Sequence, residues 1–363
     1  MEKNIEKTRA FCWYPFKHVK INSNGEVQMC CYQSGSIGNV LTQSFEEIWN
    51  SELAKQIREF TLRSEMHPMC KGWGGCSFIN TDITKNHIDI THHKYLPTSV
   101  EIDLPSKHCN IGGENPDDKN PACIMCPRNF EKFRTDPSFS LDNTIKIAES
   151  LKYLMPNMES FSVLGVAEPF WRNIIFDIFD ILEFKNYKEK IFFWTFTNGS
   201  VFDNETQNKF LKYTEKSEIR CSIDAGSKET YIKIRRRNFF ETIIKNLSDY
   251  AVKRQENQKL SIFNNINKLN VHEMHLMVDV AREVWADELW FNPTHNAGGN
   301  LDSSAGLLIE ENDLNLFIDN QKRAEERAKE LGVTLKMYRD FKQVIAKEEI
   351  IDDNKKQLVQ IKL

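Results

Sequence analysis

Cys109, Cys123 and Cys126 have the residue type and placement most able to do chemistry. The segment reads VEIDLPSKHCN, and thirteen residues then separate Cys109 from the cysteine that opens CIMCPR. Val100 to Leu104 alternate apolar and polar side chains, the period of a half-buried strand. That run delivers three thiolates into one loop. Three thiolates on a [4Fe-4S] cube leave one iron without a protein ligand, and such an iron can bind and reduce a small molecule. A second set lies upstream, where Cys12 is followed by Gly25-x4-Cys30 and then by Cys70 and Cys76 within CKGWGGC. The glycines there let the backbone curl around a metal. Four thiolates suit a closed iron–sulfur cluster or, equally in ligand type, a structural zinc ion. Cys31 is the spare: on a strand it points opposite to Cys30, so only one of the two can ligate the same ion.

The elements that position these residues fall into two blocks. Residues 1–95 read as a small cysteine-bearing module. HVKIN, SNG and EVQMCC form a hairpin pattern around Asn24-Gly25. Ser44 and Glu47 make a capping box that opens a helix to about Leu62, with Phe45, Ile48, Trp49 and Leu53 along it. Residues 96–340 switch to strands alternating with helices. The pattern gives strands at 99–104, 159–165, 190–196, 218–224, 259–264, 287–292 and 333–337. Helices are expected at 141–153, 171–183, 204–214, 238–254, 270–284 and 311–330. Such alternation implies a parallel sheet with its functional groups at the strands' carboxyl ends. The fold class is therefore α/β, a partial (β/α)6 barrel preceded by a cysteine-rich module. Residues 341–363 are a charged tail.

Bulk properties narrow the function. A chain of 363 residues has ample core for one large or two medium domains. Its net charge of −4 supplies no basic field for nucleic acid or anionic membrane, and basic–aromatic patches are lacking. MEKNIEKTRA lacks a signal-peptide core, and Asp177 and Asp180 interrupt the richest apolar stretch. Nine cysteines without an export signal, eight of them before residue 127, favour metal ligation over disulfides. The expectation is a soluble, cytoplasmic, oxygen-sensitive protein that uses neither membrane nor nucleic acid as partner.

The three-cysteine loop and the strand ends behind it resemble the radical S-adenosylmethionine (SAM) enzymes. That family usually spaces its cysteines CxxxCxxC, whereas the first gap here is thirteen residues, and Met125 stands where an aromatic residue normally lies against adenine. VLGVAEP is similar to the family's GGEP turn, TFTNGS to its TNG element, and CSIDAG with the following YIKIR to its SIDG and Y-x-x-I-R stretch. NNINKLNVHEM resembles the fifth-strand exit with its N-x-x-E, and ELWFNPTH the sixth strand. The resemblance makes Met125, Gly165, Glu168, Thr197, Asn198, Ser222, Asp224 and Arg235 candidate cofactor contacts. It implies SAM held by its amino-acid end on the open iron, with a low-potential flavodoxin- or ferredoxin-type electron donor. The upstream set, with IGNV and EEIW, resembles the SPASM and twitch auxiliary modules, here before rather than after the barrel. It implies a second [4Fe-4S] cluster on Cys12, Cys30, Cys70 and Cys76, the Gly-x4-Cys spacing favouring Cys30. Relatives of this kind modify peptide or protein side chains, or small metabolites such as sugars and aminocyclitols.

Plainer readings stand beside these. Cys221 reads as a small core thiol. Glu168 before proline could cap a helix, Asn198-Gly199 could be a turn, and Asp224 could satisfy backbone donors. Arg235, Arg236 and Arg237 read as a solvated run from which one residue could enter the barrel. His92 and His93 fall in a polar linker, while Asn264, Asn267, Asn292 and His295 are candidate cavity groups. A non-catalytic iron–sulfur carrier or a zinc-stabilised binding module also remains open.

Overall fold

The computed structural model describes residues 12–63, 65–71, 96–105, 108–111, 123–126, 140–294 and 306–337. Cys76, His92, His93, His295 and the 341–363 tail lie outside the described residues. The strands are β1 (His18–Ile21), β2 (Glu26–Gln28), β3 (Gly38–Asn39), β4 (Ser99–Asp103), β5 (Ser160–Leu164), β6 (Phe192–Thr197), β7 (Ser217–Ser222), β8 (Gln258–Ile266), β9 (Glu288–Pro293) and β10 (Leu335–Met337). They form one sheet in the order β10-β9-β8-β7-β6-β5-β4-β1-β2-β3.

From β4 to β10 the spatial order follows chain order, and every neighbouring pair is parallel. Each crossover therefore steps the same way. Because such crossovers are right-handed, their helices fall on one face and the sheet curls about the other. The side chains agree. Val100, Ile102, Phe161, Val163, Phe193, Ile219, Ile262, Leu289 and Phe291 are buried in the core on the helix side. Alternate residues, among them Glu101, Ser162, Trp194, Arg220, Phe263 and Trp290, point to the inner face. This is the open α/β barrel expected from the strand–helix alternation.

The two sequence blocks share that sheet. β1 runs parallel to β4 in register from His18↔Ser99 to Ile21↔Ile102, across the boundary placed near residue 95. The β1–β2 hairpin turns at Gly25, whose φ of +84° is open to glycine. Ser44 and Glu47 form the expected capping box. The helix expected through Leu62 is broken into Phe45–Trp49 and Glu52–Leu62, because Ser51 accepts from the Ala54 N–H and caps a new start. The helix expected from 171 becomes regular only at Ile174, after Arg172 and Asn173 take left-handed φ values. Two helices were not expected: the short Tyr14–Lys17, and Lys228–Arg235, capped by Ser227. No helix among the described residues is long and apolar enough to cross a membrane.

Candidate functional site

The strand exits β4 to β8 are tied together by buried polar groups, and the cysteines lie on those ties. β5 ends at Leu164 and turns at Gly165 with φ +100°. A β-carbon there would lie 2.7 Å from the Leu104 carbonyl oxygen, on the strand exit that leads to Cys109. Gly165→Ala is therefore expected to cost about 1–3 kcal/mol in urea unfolding, since both backbone strain and a rigid backbone neighbour oppose it.

Beyond Gly165, Glu168 is fully buried. Its Oε1 accepts from the Thr197 hydroxyl at 2.7 Å and the Phe170 N–H at 3.3 Å, and its Oε2 from the Asn198 N–H at 2.6 Å. The carboxylate thus latches the β5 exit to the β6 exit. Its own N–H donates to the His108 carbonyl, and the His108 ring meets the Trp171 carbonyl, which seats the residue before Cys109. Burial pushes Glu168 from 4.5 up to about 7, against the pull of those donors and of Arg235. A carboxyl raised by folding stabilises fully below its unfolded pKa, and that stability is lost as pH rises through the folded value. Unfolding free energy should accordingly fall by up to about 3 kcal/mol between pH 4.5 and 7 relative to Glu168→Gln, whose slope lacks this term.

Cys109 is placed through its neighbour. Asn110 Nδ2 donates to Ser200 Oγ at 2.9 Å, and Asn110 Oδ1 accepts from Asn198 Nδ2 at 2.9 Å. Asn198 Oδ1 in turn accepts from Ser200 at both its N–H and hydroxyl. Cys123 and Cys126 form a turn around Met125, with the Cys126 N–H on the Cys123 carbonyl. The Ile124 N–H bonds to the Ile234 carbonyl, docking the turn on the Lys228–Arg235 helix. Arg235 is the last residue of that helix. It is buried, its Nη2 pairs with Asp224 Oδ2, and its Nη1 donates to Cys123 Sγ at 3.7 Å.

Asp224 follows β7 with φ +61°, in a conformation aspartate tolerates better than most residues. Its Oδ1 accepts from the Asn265 N–H at 2.7 Å, its N–H donates to Asn264 Oδ1 at 2.6 Å, and its carbonyl accepts from Asn270. Glu273 accepts from Gly226, Ser227 and Thr230, fixing the start of the Arg235 helix. Burial works against the Arg235 charge, but Asp224 and Cys123 hold the guanidinium protonated above its usual range. Ser222 ends β7 on the inner face.

Of the plainer candidates, Cys221 is a fully buried core thiol, as read. Asn264 is fixed within β8 and Asn267 in the exit loop, and Asn292 Oδ1 is buried without a hydrogen-bond partner. Arg236 caps the helix, leaving Arg235 as the member of the run that turns inward. Asn110, Ser200, Asn246 and Glu273 were missed as positioning residues, Asn246 donating to the Gly199 carbonyl. Ser200 was legible as the next letter of TNGS, and Glu273 as the last of N-x-x-E.

At the hairpin end the turns that carry Cys30 and Cys70 meet. Ser34 donates its N–H and hydroxyl to the Met69 carbonyl, at 2.7 and 2.9 Å, holding the Cys70 turn against the Cys30 turn. Cys30 Sγ accepts from the Tyr32 N–H at 3.5 Å. A hydrogen bond with Cys31, burial and the nearby Cys12 thiol keep Cys30 protonated above its ordinary range, while Cys31 is exposed. Among the described residues no three His, Cys, Asp or Glu side chains are gathered as ligands of one ion. A cubane cluster asks for something else, because each of its thiolates binds a different iron and stands apart from the others. The donor types fit such a group, with sulfur ligands in both sets and the Arg235 guanidinium in contact with Cys123.

Several solved structures are similar to part of this chain. SuiB of Streptococcus suis bound to S-adenosylmethionine is 16% identical over 66% of this chain and 50% of its own, with a TM-score of 0.46. Native anSMEcpe with bound AdoMet is 16% identical over 65% of this chain and 63% of its own, TM-score 0.48. A radical SAM methyltransferase from Sphaerobacter thermophilus is 12% identical over 61% and 64%, TM-score 0.41. The chain spans about half the length of SuiB. At these identities and scores the likenesses bear on neither activity nor substrate. Among curated proteins none matches the chain. The hairpin that brings Cys30 to the Cys70 turn belongs to a stretch, residues 12–77, that matches SPASM, an iron–sulfur cluster-binding domain.

Proposed function

We propose that the chain is a radical SAM enzyme with an auxiliary iron–sulfur module. The division is residues 1–95 as module, 96–340 as barrel and 341–363 as tail. The observation that carries the reading is the placement of the three barrel cysteines. Cys109 is anchored through Asn110 to the β6 exit, and Cys123 through Ile124 and Arg235 to the helix after β7, all on the carboxyl edge of a parallel sheet. Ligands collect at that edge in barrels of this kind. A carrier or zinc module has no need of so many buried polar ties there.

Cys109, Cys123 and Cys126 would hold a [4Fe-4S] cluster with one open iron, and Cys12, Cys30, Cys70 and Cys76 a second. When bound, the first supplies the electron that cleaves SAM to methionine and a 5′-deoxyadenosyl radical, which takes a hydrogen atom from the substrate. The chain's own work is to orient and to exclude water. Glu168 and Asp224 act by holding the exit loops, since their carboxylates are spent on the chain. Gly165 allows the β5 turn to approach the Cys109 strand, and Thr197 and Asn198 complete the Glu168 latch. Asn198 is likewise spent, on Asn110 and Ser200, which leaves Ser222 and Met125 to face SAM. The substrate is a peptide or protein side chain and the electron donor a low-potential flavodoxin or ferredoxin, both on the strength of the family resemblance. Anaerobic reconstitution, followed by iron, sulfide and zinc analysis and a dithionite-driven SAM cleavage assay, tests the proposal. Iron and sulfide with 5′-deoxyadenosine formation are expected. Zinc without cleavage contradicts it.

A further inference from the structure

The inner face of β6–β10 carries a patch that the cluster sites do not use. Trp194, Phe196, Phe263 and Trp290 lie there, Phe196 next to its strand's carboxyl end and the other three at mid-strand. The Arg220 guanidinium lies 4.2 Å from the Trp194 ring centre and 5.7 Å from those of Phe196 and Phe263. Phe263 and Trp290 stack with an angle of 4° between planes, and Lys336 lies 5.1 Å over Trp290. Trp194, Phe196 and Trp290 keep part of their surface open, on a sheet face that no described helix covers.

Charge decides what such a surface can take. Both cations are already neutralised. Arg220 pairs with Glu218 at 2.6 Å, and Glu218 also accepts from Ser261. Lys336 pairs with Glu288 at 2.6 Å, and Glu288 accepts from the Trp290 indole N–H at 2.8 Å. The patch therefore offers π faces and polarised edges with no net charge, which penalises an ionic ligand by desolvation and favours an uncharged ring.

We infer that Trp194, Phe196, Phe263 and Trp290, with Arg220 stiffening them, form a binding platform for an uncharged aromatic side chain of the substrate. Naming the occupant as substrate rests on the proposed function; the preference for a neutral ring rests on the platform alone. Adenine is also a neutral ring, so the test must separate the two. Ligand-observed NMR on the full chain would measure affinity for N-acetyl-L-tryptophanamide and for 5′-deoxyadenosine, in wild type and in Trp194→Leu, Trp290→Leu and Trp285→Leu. Trp285 is an exposed surface indole on another element and serves as control.

The indole probe should bind wild type and the Trp285 variant alike, and weaken about tenfold in the other two while 5′-deoxyadenosine is unaffected. Retained nucleoside binding also shows that the variants are folded. No binding to wild type, equal binding to all variants, or loss of nucleoside affinity in the platform variants overturns the assignment. A chain that binds the probe as expected but carries zinc, or cleaves no SAM, sinks the radical reading and leaves the platform standing.

Discussion

Cys123→Ala is expected to abolish 5′-deoxyadenosine formation and to remove about four irons per chain, the content of one cubane cluster. The proposed cube takes three thiolates from the barrel, and this variant keeps two. Cys123 is the buried member of its set, with only 7% of its surface exposed, and it receives the Arg235 N–H. Cys70→Ala should lose a similar amount of iron from the other set while keeping part of the SAM cleavage, because that site lies in the SPASM-matching stretch. Iron analysis and product chromatography on both variants check this. Equal loss of cleavage would contradict separate roles for the two sets.

Asp224→Ala is expected to destabilise the chain by about 3–5 kcal/mol in urea unfolding. Two effects compete at this residue. Burial raises the Asp224 carboxyl, while Arg235 and the Asn265 N–H pull it back. The paired state prevails, because each oxygen has a donor or a cation and the backbone is held by Asn264 and Asn270. Removing the carboxylate leaves a buried guanidinium without the partner it pairs with. Arg235→Met in the same background should recover part of the loss, because the orphaned charge goes with it. If Asp224→Ala costs under about 1 kcal/mol, the pair is not the buried latch described here.

The barrel was legible because its signals are periodic. Seven parallel strands were placed within a few residues, since alternating apolar positions on β4 to β10 report the helix-covered face. What escaped depends on contacts distant in sequence. Nothing near residues 228–235 announces that Ile234 will receive the Ile124 N–H, so the helix was lost in an apparently solvated arginine run. Glu168 was singled out by its strand-end position, but only the fold shows its carboxylate consumed by Thr197, Asn198 and Phe170. The parallel pairing of β1 with β4 was likewise invisible, because a four-residue strand carries no mark of its partner. The inner-face aromatics were read only as strand residues; their clustering needs the register of five strands.

The measurement closest to the central claim is electron paramagnetic resonance of the reduced, anaerobically reconstituted Cys70→Ala protein, with and without SAM. This variant isolates the site proposed on Cys109, Cys123 and Cys126. Direct binding of the methionine end to an open iron predicts that SAM changes the cluster's spectrum. A cubane signal that SAM leaves untouched, or a site filled by zinc, contradicts the account.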